Sequence, residues 1–455
     1  MIRRYLAPHD ATPSHIIKMV MWPLALITAA DMVLYKAIPG HHTNDFKPVH
    51  NAISAFLRHE PVYTANLSSV DPHYLYPPGG TLLLAPIGLL DEANGRTVFL
   101  FLNLLAAVLA VHLLLRMFGY TWRSPLAPVA YFFLFLSEAL VNTLTFGNVN
   151  GLFFLAEVVF LTLLLGRRDV AAGVVLGLTI AIKPILAPLL LLALLRKQWS
   201  TVAIAMAMPV LTTAIAWPLA ADPGRYFVHN LPYSLQVRDY FNSSISGVGA
   251  YYGVSPVVTL LARGILAAMV VVSLWLLYRY YRHQELFFVT TATGVLLTAE
   301  FALSSLGQQY YSMFLFPFLL TVVVRSSVLR NWPAWLAIFG FASYETWLLF
   351  RWPAFGRDLE YSRTAFAWAL LLVVVCCVLS DRYLAARRQG RLADGIDPAC
   401  LAPDFPPKDR YVASSHVGGS ASKRDGHAHP AFRAAVPTMA DAENLISDPM
   451  PEEPE

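Results

Sequence analysis

The chain has 455 residues, a formal net charge of +4 and only 14% charged side chains against 56% hydrophobic ones, with a mean hydropathy of +0.52. A soluble domain of that length needs far more charge to cover its surface, and here the apolar residues run in blocks of about 18–25, the length that crosses a bilayer core. These features exclude a soluble multidomain protein and predict an all-α polytopic membrane protein.

In chain order, Arg3 and Arg4 precede an apolar run that reads as an uncleaved first span near 16–37, with the N-terminus (1–15) in the cytoplasm. Further apolar spans lie near 97–115, 125–145, 150–166, 199–221, 252–278, 286–306, 310–324, 332–350 and 364–381. Two segments are ambiguous. The first, 78–90, is short and opens with Pro77-Pro78-Gly79-Gly80; the second, 170–195, is broken at Lys183-Pro184, where proline removes a backbone donor. Each is read as a short span, a re-entrant helix or half of a hairpin, giving about 10–13 transmembrane helices.

Basic residues gather in short turns: Arg116, Arg123, Arg167, Arg168, Arg196, Lys197, Arg279, Arg282, Arg325, Arg330, Arg387 and Arg388. The positive-inside rule assigns these to the cytoplasm and three longer connections, 39–77, 222–251 and 351–363, to the outside. That assignment is self-consistent when 78–90 does not fully cross and 170–195 enters and leaves as a hairpin. The membrane domain covers 16–390. The tail, 391–455, is rich in Pro, Ser, Gly and Asp and is predicted to be disordered and cytoplasmic. Cys376 and Cys377 lie in an apolar run and Cys400 in the tail, so no disulfide or metal site is implied.

The first outer loop is the most informative. Phe46, Val49, Ile53, Phe56 and Leu57 recur at helical spacing, predicting an amphipathic helix in the membrane interface. Asn44-Asp45-Phe46-Lys47 stands at its start. A carboxylate fixed there can take the proton of a sugar hydroxyl attacking an activated anomeric carbon, or it can simply cap the helix. Downstream, His73, Tyr74 and Tyr76 are aromatic groups suited either to stacking on sugars or to anchoring at the interface. The amides of Asn142, Asn148 and Asn150 suit sugar hydroxyls or helix caps.

Lys183, set between apolar runs, can meet a lipid phosphate. It can equally snorkel, or pair with Glu138 or Glu157. Arg238 and Asn242 in the second outer loop, and Gln308, Gln309, Tyr310 and Tyr311 at an outer helix start, complete the candidates, with Lys47 as a further phosphate contact. No Gly-rich phosphate loop, zinc motif or Ser-His-Asp arrangement stands out, so neither metal, soluble cofactor nor nucleic acid is expected.

The chain resembles the GT-C membrane glycosyltransferases that use polyprenyl-phosphate sugars, and within them the mycobacterial arabinofuranosyltransferases that install α-1,3 branches in arabinan. The resemblance rests on Asp45-Phe-Lys-Pro-Val49, Asp71-Pro-His-Tyr-Leu-Tyr-Pro-Pro-Gly-Gly-Thr81, Arg238-Asp-Tyr-Phe-Asn-Ser-Ser244 and Tyr310-Tyr-Ser-Met313. Arg330-Asn-Trp-Pro-Ala-Trp-Leu336 and Asp394-Gly-Ile-Asp-Pro398 add to it, and the whole covers about 17–400. It implies inverting transfer of D-arabinofuranose from decaprenyl-phosphoryl-arabinose onto O3 of an arabinan, at the extracytoplasmic face of the plasma membrane. Asp45 takes the place of the family's general base. One departure matters: mannosyltransferase relatives often carry Ser-Trp-x-His-His where this chain has Ser305-Leu306-Gly307-Gln308-Gln309. The alternatives are a polyprenyl-phosphate-mannose-dependent mannosyltransferase of the same fold and a flippase for lipid-linked sugars. The flippase is disfavoured by the lack of an internal repeat and by the concentration of polar residues at one face.

Overall fold

In a computed structural model, residues 12–41, 44–343, 349–393 and 395–396 are described. They belong to one compact unit, and among them no strand occurs. The expectations placed on Arg3, Arg4, Cys400, Asp394, Asp397 and the body of the tail fall outside these residues.

The first crossing is α1 (Pro13–Asp31), continued by a π-turn to Ala37; Thr12 caps it through its side chain and Pro13 sits where a missing N–H costs nothing. The predicted amphipathic helix is α2 (Phe46–Leu57), which buries Phe46, Val49, His50, Ala52, Ile53 and Phe56 along one face. Next come α3 (Pro78–Leu84), with a 3-10 extension to Leu89, and the long α4 (Glu92–Met117). The run 125–145 folds as two helices, α5 (Leu126–Leu136) and α6 (Glu138–Phe146), bent by 52° at Ser137. Ser137 is extended there, and its hydroxyl both accepts from Leu140 N and donates to the Leu134 carbonyl, so the break is capped on both sides.

After α7 (Asn150–Leu165) the awkward segment is resolved into α8 (Asp169–Ile182), an extended Lys183, a 3-10 turn over Pro184–Leu189, and α9 (Leu190–Leu195). Its two ends lie side by side. Arg167 donates to the Arg196 carbonyl at 3.2 Å, and the Gln198 amide donates to both the Leu164 carbonyl and Asp169. The segment therefore goes in and comes back as a hairpin with Lys183 at its tip, about 21 Å along the 14-residue α8 from the basic turn. Pro184 dictates this: a residue before proline is pushed out of helical φ/ψ, and Lys183 sits at φ −152°, ψ 117°.

The remaining elements are α10 (Trp199–Ala216), α11 (Leu231–Ser234), α12 (Ile245–Tyr251), α13 (Pro256–Tyr281), α14 (Glu285–Leu303), α15 (Phe316–Leu319, flanked by 3-10 turns), α16 (Trp332–Ala342) and α17 (Pro353–Arg388). Among the described residues six helices are long and apolar enough to cross a membrane, and the bent α5–α6 pair makes a seventh. The other apolar segments counted among the expected 10–13 are helices of 10–17 residues, the 78–89 segment among them. At 12 residues it reaches only about 20 Å, less than the ~30 Å hydrocarbon core. The stretch 351–363, expected as a loop, is instead mostly the start of α17, which runs for 36 residues. Arg357, Asp358, Glu360 and Arg363 lower its hydropathy without interrupting the helix.

The bundle has two chemically distinct ends. Arg382, near the end of α17, donates to the Ser326 and Ser327 carbonyls, Ser326 donates to Gln284, and Arg196 pairs with Glu285; the basic turns thus share one end. About 20 residues earlier on the same helix, roughly 30 Å away, Tyr361 donates to the Asp239 carbonyl in the 222–251 connection. The protein is a multi-pass membrane protein with its aromatic and amide-rich loops gathered opposite its basic turns.

Candidate active site

Asp45 is placed by its neighbours in sequence. Its backbone N–H donates to the Phe146 carbonyl at 2.7 Å, joining the start of α2 to the end of α6. Gly147, at φ +68°, lets α6 end there; a Cβ would stand 2.8 Å from the Phe46 Cβ. Phe46 is 1% exposed against Phe99 and His50 and anchors the turn, by burial worth about 2–3 kcal/mol.

The capping reading of Asp45 is answered by geometry. Its side chain makes no cap hydrogen bond; Asn44 Oδ1 takes that job, accepting from Lys47 N at 2.9 Å. Asp45 is released to face the bundle. Its Oδ2 accepts from Asn148 Nδ2 at 2.8 Å and from the Tyr310 hydroxyl at 3.4 Å, while Oδ1 has no hydrogen-bond partner among the described residues. Burial raises its pKa above the usual carboxylate range, opposed in decreasing order by the Asn148 hydrogen bond, the Lys183 charge, the Tyr310 hydrogen bond and the Arg238 charge. A carboxylate made more basic, with one oxygen unengaged, is suited to accepting a proton.

Lys183 approaches from the hairpin tip. Its ammonium lies 4.5 Å from the centroid of Tyr311 and 5.6 Å from that of Tyr310, a cation–π cradle beside Asp45. It makes no ion pair within 4.0 Å among the described residues. The alternative partners weighed from sequence are not its partners: Glu138 pairs with Arg363, and both oxygens of the buried Glu157 lack a hydrogen bond among the described residues. The tip comes close because Gly79 and Gly80 remove two Cβ atoms. One would meet Thr212 Oγ1 at 2.5 Å, the other Ile182 Cα at 2.9 Å. The Pro-Pro-Gly-Gly run thus starts α3 and packs it between α10 and the end of α8. Arg238 is near enough to act on Asp45 through its charge, its guanidinium lying over the Tyr233 and Tyr240 rings at 5.2 and 5.7 Å. Its Nε is buried without a hydrogen-bond partner among the described residues. Tyr76 is close enough for Asp45 to raise its phenol pKa, after the larger effect of burial, and its hydroxyl takes no partner among the described residues.

Other sequence candidates are placed differently. Asn44 is the helix cap, and Lys47 lies exposed on α2 with no ion pair among the described residues, away from the face carrying Phe46. Tyr74, 4% exposed, directs its hydroxyl to Thr81 at 2.6 Å, and its carbonyl accepts from Asn230; it supports the loop from behind. His73 bonds the Ser69 carbonyl and packs edge-on against Tyr233. Asn242 is a clamp: it donates to the Arg238 and Ser305 carbonyls and accepts from Ser244 N and Gly307 N, leaving nothing for a sugar. Asn150 is 0% exposed with neither amide atom bonded among the described residues, inside the bundle and away from solvent. Gln308 is half-buried with no side-chain hydrogen bond among the described residues, beside the Asn242 clamp. Gln309 points instead to Glu138. Asn148 and Tyr310 are brought onto Asp45, with Lys183, Arg238 and Tyr76 around it.

Tyr311, named from sequence with Tyr310, supplies the ring nearest Lys183. One contribution was not legible as a site feature in sequence. Glu138 ties α6 to Arg363 of α17, to Asn142 and to Gln309, the residue before Tyr310. An acidic residue inside one apolar run and a basic one at the edge of another, 225 positions apart, were the available clue. Among the described residues no group of three His, Cys, Asp or Glu side chains gathers as a metal site.

Comparison with known proteins identifies the family. Residues 74–305 match the model of glycosyltransferase family 87. The chain is 47% identical over 408 residues to an alpha-(1->3)-arabinofuranosyltransferase of Mycolicibacterium smegmatis, covering 89% of this chain and 94% of that one. It is 47% identical over 402 residues to the protein of that name from Mycobacterium tuberculosis H37Rv, covering 88% and 92%. The Corynebacterium glutamicum protein of that name is 40% identical over 356 residues, covering 78% of this chain and 85% of its own. With a family model over half its length and relatives this similar over most of it, the chain belongs to glycosyltransferase family 87.

Proposed function

We propose that this enzyme transfers D-arabinofuranose from a decaprenyl-phosphoryl donor onto O3 of an arabinan chain at the extracytoplasmic face of the membrane, making α-1,3 branches for arabinogalactan and lipoarabinomannan. The relatives named alpha-(1->3)-arabinofuranosyltransferase support the sugar and the linkage. The observation that carries the chemistry is the unengaged Oδ1 of Asp45, on a carboxylate held by Asn148 and Tyr310 beside Lys183.

On this reading Asp45 takes the proton of the acceptor hydroxyl as its oxygen bonds to the anomeric carbon from the face opposite the phosphate. The bond from that carbon to the phosphate oxygen breaks, the configuration inverts, and the lipid phosphate leaves with the electron pair. Lys183 and Arg238 offset the charge growing on that phosphate, an electrostatic role worth several kcal/mol in comparable sites. The aromatic faces of Tyr76, Tyr310 and Tyr311 exclude water from the reacting centre. The activated bond is in the donor, so the reaction needs no cofactor. The placement of the basic turns at the opposite end of the bundle supports the extracytoplasmic side.

The test is transfer by the purified enzyme from synthetic decaprenyl-phosphoryl-arabinose to a short α-1,5-arabinofuranoside, followed by linkage analysis. A 3-linked branch is expected. Transfer from polyprenyl-phosphate-mannose alone would overturn the sugar, and movement of intact donor across sealed vesicles without product would overturn the reaction.

A further inference from the structure

The basic end carries a second feature that transfer chemistry does not use. Three turns, those joining α7 to α8, α9 to α10 and α13 to α14, meet around a cavity of about 250 Å³. Its lining includes Arg167, Arg196, Lys197, Arg282 and His283, with the apolar surfaces of Tyr278 and Phe288. Among the described residues lining it, one carboxylate, Glu285, accompanies these cations. Arg196, whose side chain is 5% exposed, takes it at 3.2 Å. Arg167, Lys197 and Arg282 therefore have no ion pair among the described residues.

Positive charge in such turns is expected from topology alone, and cations near helix ends also complement the helix dipole. Neither effect requires the turns to converge or to adopt a costly backbone. Both occur here. Arg167 and Lys197 sit at φ +56° and +57°, in the left-handed region that side chains other than glycine and asparagine avoid. Each holds the position after a helix end where glycine is the usual residue, in a matching pair of bonds. Arg168 N donates to the Leu163 carbonyl and Arg167 N to Leu164; Gln198 N donates to Ala193 and Lys197 N to Leu194. The two turns are then fastened together by Arg167 to the Arg196 carbonyl and by Gln198 to Leu164 and Asp169. Arg282 completes the rim, its guanidinium 5.7 Å from the Tyr278 ring.

We infer that this cavity is a binding site for an anionic, phosphate-bearing headgroup, separate from the Asp45 site. Three cations without carboxylate partners suit a phosphate, Arg196 is held in place by Glu285 and Gln198, and the apolar lining suits the glycerol or acyl portion above a lipid phosphate. The location, at the end of the membrane-crossing α13 and beside its neighbour α14, is where a headgroup of the adjoining leaflet lies.

The experiment is native mass spectrometry of the detergent-purified full chain, titrated in parallel with phosphatidylglycerol, phosphatidylcholine and inorganic phosphate. The wild type is expected to bind phosphatidylglycerol about tenfold or more tightly than phosphatidylcholine, and Lys197→Gln/Arg282→Gln to bring the two together. Arg388→Gln removes a cation from the same end outside the cavity and is expected to change nothing. Competition by inorganic phosphate that is lost in the double variant would identify the source as a soluble phosphate at the same site. Unchanged phosphatidylglycerol binding in the double variant, or equal weakening by Arg388→Gln, would overturn the site. Binding is read without turnover, so the result is independent of the proposed transfer reaction.

Discussion

Two carboxylates stand within a few residues' reach of each other in the bundle, and they are held in opposite ways. Glu138 is fully engaged: one oxygen accepts from Asn142, the other from Arg363 and Gln309. Asp45 is half engaged, with both donors on Oδ2 and the nearest cations set back beyond ion-pair distance. A buried charge with all its lone pairs satisfied fixes structure, because removing one partner strands the other. A buried charge with an oxygen left over is costly to the fold and retains reactivity. The difference separates the residue that joins α6 to α17 from the residue proposed to do chemistry.

The largest effect expected from breaking this comparison is in turnover. Asp45→Asn is expected to lower kcat by about 10²–10⁴-fold, the usual contribution of a general base, in the arabinose-transfer assay. Its stability should behave oppositely. The Asp45 pKa is raised on folding, so the native state holds that proton more tightly than the unfolded chain, and ionisation costs stability as pH rises from the ordinary carboxylate range through the raised value. Above that window Asp45→Asn is expected to match or exceed the wild-type thermal midpoint in detergent. A drop in both activity and midpoint would place Asp45 with Glu138 as structural.

Glu138→Gln is expected to do the reverse, costing about 3–5 kcal/mol of stability by breaking the buried ion pair with Arg363. The double variant Glu138→Gln/Arg363→Gln should recover part of that loss, a non-additivity measurable by denaturant or thermal unfolding. Additive losses would mean the two residues do not act as a pair.

The pH profile sharpens the comparison further. Asp45 must be ionised to act, so kcat/KM is expected to fall on the acid side at a pH above the usual carboxylate range. Asn148 and Tyr310 both hold the pKa down, Asn148 more strongly, so Asn148→Ala should move the acid limb upward more than Tyr310→Phe. The opposite order would contradict the hydrogen-bond geometry. The smallest effect is reserved for Lys47→Ala. Its side chain is exposed on the outer face of α2, and transfer rates should change by less than about twofold, as for surface substitutions away from a site.

The sequence by itself determined that this is a helical membrane protein, where its amphipathic helix lies, and that its basic residues gather in short turns. Those conclusions depend on run length, 3.6-residue periodicity and local charge, all of which act over a few residues. The hairpin at 170–195 was also within reach, because Lys183-Pro184 breaks a helix whatever surrounds it. Only the tertiary structure decided which amide caps and which binds. Asn44 took the cap and freed Asp45, Asn242 became a loop clamp, and Asn148 and Tyr310, 162 positions apart, met on one oxygen. The choice of partner for Glu138 was likewise hidden. A hydrogen bond forms where the packing of distant helices brings donor to acceptor, and an isolated stretch of sequence contains the groups without the packing that pairs them.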